Sequence, residues 1–149
     1  MDYEPSNILL VEDEEAHAEL TGRAIRKAGN ANRVDVVIDG EKALDYVFNR
    51  GKYADKNKYP TPGLILLDIK LPGIDGIEVL KRIKEDSVLK KIPVIMLTTS
   101  EREEDICQSY SHYANSYLTK PVGYKEFEEK IMQIDFYWMI LNKPPALET

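Results

Sequence analysis

Two uninterrupted apolar runs, Ile8-Leu9-Leu10-Val11 and Leu64-Ile65-Leu66-Leu67, constrain the fold more than any other feature of the chain. Neither alternates polar with apolar residues, so a strand built from either must be buried on both faces, as in a parallel sheet with helices on each side. The pattern predicts strands over Asn7 to Val11, Val34 to Ile38, Leu64 to Leu67, Val94 to Thr98 and Ser116 to Leu118. Between them apolar residues recur at three- and four-residue steps. Leu20, Ala24, Ile25 and Ala28 mark a first helix that stops at Gly29-Asn30. Ala43, Leu44, Val47 and Phe48 mark a second, Ile77, Leu80 and Ile83 a third, and Ile106, Cys107, Tyr110 and Ala114 a fourth. A long final helix makes five. The expected fold is α/β, a doubly wound five-stranded parallel sheet with five helices.

A length of 149 residues with 43% hydrophobic content fits one domain spanning the whole chain. Twenty basic against 26 acidic residues give a net charge of −6, which argues against nucleic acid or an anionic membrane as partner. The start Met1-Asp2-Tyr3-Glu4-Pro5 lacks the order of a secretion signal, and no apolar run approaches the ~20 residues of a membrane span. A cytoplasmic protein is expected. The lone Cys107 reads as a small core residue, and His17 and His112 share no metal-ligand spacing.

Two regions exceed what five minimal units need. Gly51 to Gly63, with Lys52, Lys56, Lys58, Tyr53, Tyr59, Pro60 and Pro62, reads as an ordered surface loop. In the last helix Phe127, Ile131, Ile134, Trp138 and Leu141 form one apolar stripe, and Met132, Phe136 and Ile140 another. One domain easily buries only the first. The second fits either a second copy of the chain, as a homodimer through this helix, or the tail Asn142-Lys143-Pro144-Pro145 folded back.

The chemistry sits at the ends of the apolar runs. Glu12-Asp13 closes the first, Asp68 closes Leu64 to Leu67, Thr98 ends the fourth strand and Lys120-Pro121 follows the fifth. In doubly wound sheets ligands bind beyond the carboxyl ends of the strands. Singly, each residue has an ordinary reading, since an acid after a strand often caps the next helix. Asp13 fits that role, whereas Ile69-Lys70-Leu71-Pro72 argues against an immediate helix after Asp68. Together, three carboxylates repel one another and favour a cation; Mg2+ would suit them with a backbone carbonyl such as that of Lys70. Asp68 could then act as nucleophile toward a phosphoryl group, with Lys120 and Thr98 on its oxygens.

At these residues the chain closely resembles the receiver domain of two-component response regulators, over essentially its whole length. Glu12-Asp13 is similar to the family's metal-binding acidic pair, Asp68 to its phosphoacceptor, Thr98 to its switch hydroxyl, Lys120 to its phosphate-contacting lysine and Tyr117 to its aromatic switch. Leu71-Pro72-Gly73-Ile74-Asp75-Gly76 resembles the loop after the acceptor, and Asp39-Gly40 also fits. The resemblance implies a flavodoxin-like strand order 2-1-3-4-5 and a cis peptide at Lys120-Pro121. The Gly51 to Gly63 insertion, Leu97-Thr98-Thr99-Ser100 and the aromatic last helix look most like single-domain regulators serving phytochrome-type histidine kinases. Lys70 and Ser100 occupy positions where the family tunes phosphoryl lifetime.

The resemblance implies a regulator that accepts a phosphoryl group from a sensor histidine kinase on Asp68 with Mg2+ and switches an interaction surface of its last two helices. It would not be an enzyme beyond its own phosphorylation and dephosphorylation. The alternative is a relay intermediate or phosphate sink that passes the group to a histidine phosphotransfer protein. A hydrolase with an aspartyl-phosphate intermediate lacks the second carboxylate it would need at position 70. Nucleotide or flavin binding lacks a glycine-rich loop after the first strand, where Glu12-Asp13-Glu14-Glu15 stands instead.

Overall fold

The computed structural model describes residues 6–28, 31–98, 116–119 and 124–136. Five strands, β1 (Ser6–Val11), β2 (Ala31–Val37), β3 (Leu64–Asp68), β4 (Val94–Thr98) and β5 (Ser116–Thr119), form one sheet in the order β2-β1-β3-β4-β5. Every pairing is parallel. Four α-helices are described: α1 (Glu15–Ala28), α2 (Gly40–Val47), α3 (Gly76–Glu85) and α4 (Tyr124–Phe136). The helical pattern of Ile106 to Ala114 and the Gly29-Asn30 stop lie outside the described residues, as do Trp138, Ile140, Leu141 and the tail. The side chains of Met132, Ile134 and Phe136 lie outside them too.

Alternate residues of each central strand enter opposite cores, which is why the runs carry no polar interruption. Leu9, Val11, Ile65, Leu67, Val94 and Met96 pack under α2 and α3. Ile8, Leu10, Leu64, Leu66, Ile95 and Leu97 face α1 and α4, where Phe127 and Ile131 complete the layer. Each fully buried side chain of this size contributes roughly 1.5–3 kcal/mol by burial. Among the described residues, no helix is long and apolar enough to cross a membrane.

Several expectations are corrected. β2 starts at Ala31 instead of Val34 and ends at Val37, leaving Ile38 54% exposed. As an edge strand it tolerates Asn32 and Arg33, whose polarity hid its start. Leu20 is only half-buried, because the buried face of α1 runs through Ala18, Thr21, Ala24 and Ile25 and Leu20 lies off its edge. In α3 Val79 is fully buried and Ile77 only partly. Phe48 falls just past the end of α2, exposed beneath the Arg50 guanidinium, 5.1 Å from its ring centroid.

The 51–63 insertion is ordered, as expected. It opens with a 3-10 turn at Gly51–Tyr53 and returns to the sheet where the Gly63 amide donates to the Asn7 carbonyl at 2.9 Å.

Candidate metal centre

The site is built by chain direction. Parallel strands end at the same edge, so the residues following β1 and those ending β3 meet because these strands are neighbours. Val11 pairs with Leu67, which sets Glu12 beside Asp68. One carboxylate oxygen from each of Glu12, Asp13 and Asp68 lies within 4.8 Å of the others. Glu12 and Asp68 are buried and Asp13 is exposed, giving a cleft with one open side.

Local hydrogen bonds orient the group. The Glu14 amide donates to Glu12 Oε2 at 3.3 Å, and the Glu12 amide donates to the Val37 carbonyl at 3.0 Å. The Lys70 amide donates to Asp68 Oδ1 at 3.1 Å, so Lys70 lies beside the site with its side chain exposed. At 4.8 Å and an effective dielectric near 20, each pair of like charges repels by about 3 kcal/mol. A hard divalent cation answers that repulsion, and an all-oxygen donor set suits it.

The remaining expected residues fall at the same edge only in part. Asp68 pairs with Leu97, so Thr98 comes one residue further along β4. Thr98 pairs with Thr119 and Met96 with Tyr117. The side chains of Thr98 and Tyr117 lie outside the described residues. So do Lys120 and Ser100, and with them the cis peptide expected at Lys120-Pro121.

Two glycines matter more to the site than their sequence revealed. A Cβ on Gly76 would sit 2.1 Å from the Asp68 carbonyl oxygen and 2.8 Å from Cα of Ile69. The start of α3 therefore packs directly on the backbone of Asp68, with the Gly76 amide donating to the Ile69 carbonyl at 2.8 Å. A Cβ on Gly40 would sit 2.4 Å from the Ile74 carbonyl oxygen, so α2 starts against the same loop. Both glycines follow an aspartate that caps the helix: Asp39 accepts from the Lys42 amide at 2.8 Å and Asp75 from the Glu78 amide at 2.9 Å. The repeated Asp-Gly was the available signal, since glycine at a helix start gives up propensity that only close packing repays.

Residues 8–132 match the response regulator receiver domain. A probable methanogenesis regulatory protein, FilR2 of Methanothrix harundinacea, is 39% identical over 143 residues, covering 96% of this chain and 90% of FilR2. Response regulator Rcp1 of Synechocystis is 38% identical over 142 residues, covering 95% of each chain. The crystal structure of its Mn(2+)-bound form superposes with a TM-score of 0.82 at 37% identity, over 95% of this chain and all of that one. The phosphorylated cyanobacterial phytochrome response regulator RcpA superposes with a TM-score of 0.90 at 37% identity, over 96% of this chain and all of RcpA. The acidic cleft thus lies in a fold shared with phosphorylated and metal-bound regulators, and the chain belongs to the response regulator receiver domain family.

Proposed function

We propose that this receiver takes a phosphoryl group from a sensor histidine kinase onto Asp68, with Mg2+ held by Glu12, Asp13, Asp68 and the backbone carbonyl of Lys70. The observation that carries the reading is the meeting of those three carboxylates at one strand edge. In the transfer the phosphorus–nitrogen bond of the donor phosphohistidine breaks, a phosphorus–oxygen bond forms to Asp68, and the imidazole nitrogen takes up a proton. A divalent cation there neutralises charge on the phosphoryl oxygens. Glu12, fixed by the Glu14 amide, and Asp13, open to solvent, hold the cation side of the cleft, while the Lys70 amide keeps the Asp68 carboxylate oriented.

In this reading Lys120 and Thr98 contact the phosphoryl oxygens, Tyr117 reports the change by rotating, and the surface of the last two helices is switched. The chain works as a single receiver domain in the cytoplasm, chemically active only in its own phosphorylation and dephosphorylation. Similarity to RcpA and Rcp1 supports a kinase of the phytochrome type.

Intact mass measured on wild type and Asp68→Asn after exposure to a small phosphodonor with Mg2+ tests the reading. One phosphoryl group should add to wild type and none to the variant. Equal labelling of both would remove Asp68 from the mechanism. Rapid transfer of the label to a histidine phosphotransfer protein would mark a relay instead of a switch.

A further inference from the structure

The 51–63 insertion is held far more firmly than a spacer requires. Asn49, in the left-handed region at φ 54°, aims its side-chain amide at two loop carbonyls, Tyr53 and Tyr59, both at 3.0 Å. The rings of Tyr46, Tyr53 and Tyr59 meet in a triad, with Tyr53 and Tyr59 edge-to-face at 4.9 Å. Arg33 on the edge strand donates to the Lys58 carbonyl at 2.6 Å and to Asp35 at 2.7 Å, and the Tyr46 hydroxyl donates to the same Asp35 carboxylate. Asp55 accepts from the Asn57 amide at 2.9 Å, closing the turn between.

What this framework displays is positive charge. Arg50, Lys52, Lys56 and Lys58 against Asp55 give residues 50–63 a net charge of +3, leaving −9 on the rest of a chain whose total is −6. Arg50 is paired with Asp45 at 3.4 Å. Lys52, Lys56 and Lys58 are exposed, and no carboxylate among the described residues lies within ion-pair distance of them. Two of these ammonium groups are steadied over aromatic faces, Lys52 5.3 Å from the Tyr53 centroid and Lys58 5.5 Å from that of Tyr59. The lobe joins the sheet at the start of β3, while Asp68 ends that strand roughly 13 Å away at 3.3 Å per residue. It therefore takes no part in the phosphoryl chemistry.

We propose that this stapled loop is a docking surface for an acidic segment of a partner protein, with Lys52, Lys56 and Lys58 as its contacts. Fixed charges bind with less ordering cost than mobile ones, and complementary charge selects the partner. Three lysines on a chain otherwise strongly acidic match a short carboxylate-rich peptide. They do not make a track for a long polyanion such as nucleic acid, which would run past the lobe onto a remainder carrying −9.

The test is a titration of the isotopically labelled full chain with hexaglutamate at low salt, followed by backbone amide shifts. Shifts should centre on Lys52, Tyr53, Lys56 and Lys58. The triple variant Lys52→Glu, Lys56→Glu, Lys58→Glu should bind roughly tenfold more weakly, by the modest worth of each exposed ion pair. Tyr59→Ala keeps all three lysines but opens the triad, and it should also lose affinity. Phosphoryl labelling of Asp68 should be unchanged in every variant, which separates this outcome from the reading of the acidic cleft. Shifts centred on Lys90-Lys91, undiminished affinity in Tyr59→Ala, tighter binding of an oligonucleotide or of phosphatidylglycerol vesicles, or self-association through the lobe without peptide would each overturn the proposal.

Discussion

The two ends of the sheet handle charge in opposite ways. At the carboxyl edge, three carboxylates are gathered within 4.8 Å, two of them buried. At the amino edge, the framework beneath the insertion's exposed lysines pairs its charges: Arg33 with Asp35, Asp35 with the Tyr46 hydroxyl, Arg50 with Asp45. Concentrating like charge works against folding, whereas pairing opposite charges is neutral or mildly favourable. The first arrangement persists because chemistry uses it, and the second makes a loop rigid. Substitutions at the acidic edge should therefore change chemistry and ion linkage, and substitutions at the other edge should change stability and loop order.

The largest effect belongs to Asp68→Asn. Phosphoryl uptake measured by intact mass should fall from complete to none. The rise in melting temperature on adding Mg2+ should shrink as well, because one of three carboxylate ligands is gone. A variant with an undiminished Mg2+ response would break the contrast between the two edges. Next comes Gly76→Ala, where the new Cβ meets the Asp68 carbonyl at 2.1 Å. Backbone cannot yield as a side chain can, so denaturant unfolding should show a loss of about 3 kcal/mol. Gly73→Ala provides the control: at φ 73° it pays only for conformation, with nothing within 4 Å, and should cost about 1 kcal/mol.

Gly40 and Gly76 show where sequence reading stopped. The unbroken runs Ile8 to Val11 and Leu64 to Leu67 declared a sheet buried on both faces, and the acids after them located the metal cleft, because parallel strands put their ends together. Strand periodicity is a local signal and needs no knowledge of neighbours. The contacts of Gly40 and Gly76 are long-range in space and leave only a weak trace, an Asp-Gly at a helix start. Tyr46 was missed for the same reason. Its burial at 2% comes from a loop residue pair, Tyr53 and Tyr59, and from Asp35 on the edge strand, none of which helical spacing reports. Asp35 itself lies in a strand whose polar start, Asn32-Arg33, concealed it.

At the amino edge, Tyr46→Phe sharpens the comparison. It keeps the ring triad but removes the hydroxyl that donates to Asp35, whose remaining partner Arg33 still donates at 2.7 Å. A hydrogen bond to a charged acceptor supports a loss of about 1.5 kcal/mol in urea unfolding. Amide exchange should quicken across residues 51–63 while Asp68 labelling holds at the wild-type level. Equal loosening around Asp68 would mean that the two edges are one cooperative unit.

The last effect is a pH dependence centred on Lys84, on the amino side of the sheet. Lys84, late in α3, donates to the carbonyls of Lys90 at 3.0 Å and Ile92 at 2.7 Å, tying the helix to the 3-10 turn Leu89–Lys91. Burial lowers its ammonium from 10.5 to about 8. Between those values the unfolded chain holds the proton that the folded chain has released, so raising the pH from about 8 toward 10.5 favours folding through this group. Tyr46 acts in the opposite sense only at higher pH. Burial and the bond to Asp35 raise its phenol above 10.0, and its contribution is lost as the pH climbs past that value. Comparison with Lys84→Met between pH 8 and 10 isolates the lysine, because every other titrating group is common to both proteins. Wild type should gain stability across that window relative to Lys84→Met, whose methionine carries no proton to release. Parallel curves for the two proteins would show that the ammonium stays charged against its carbonyls, and that hydrogen bonding outweighs desolvation at that site.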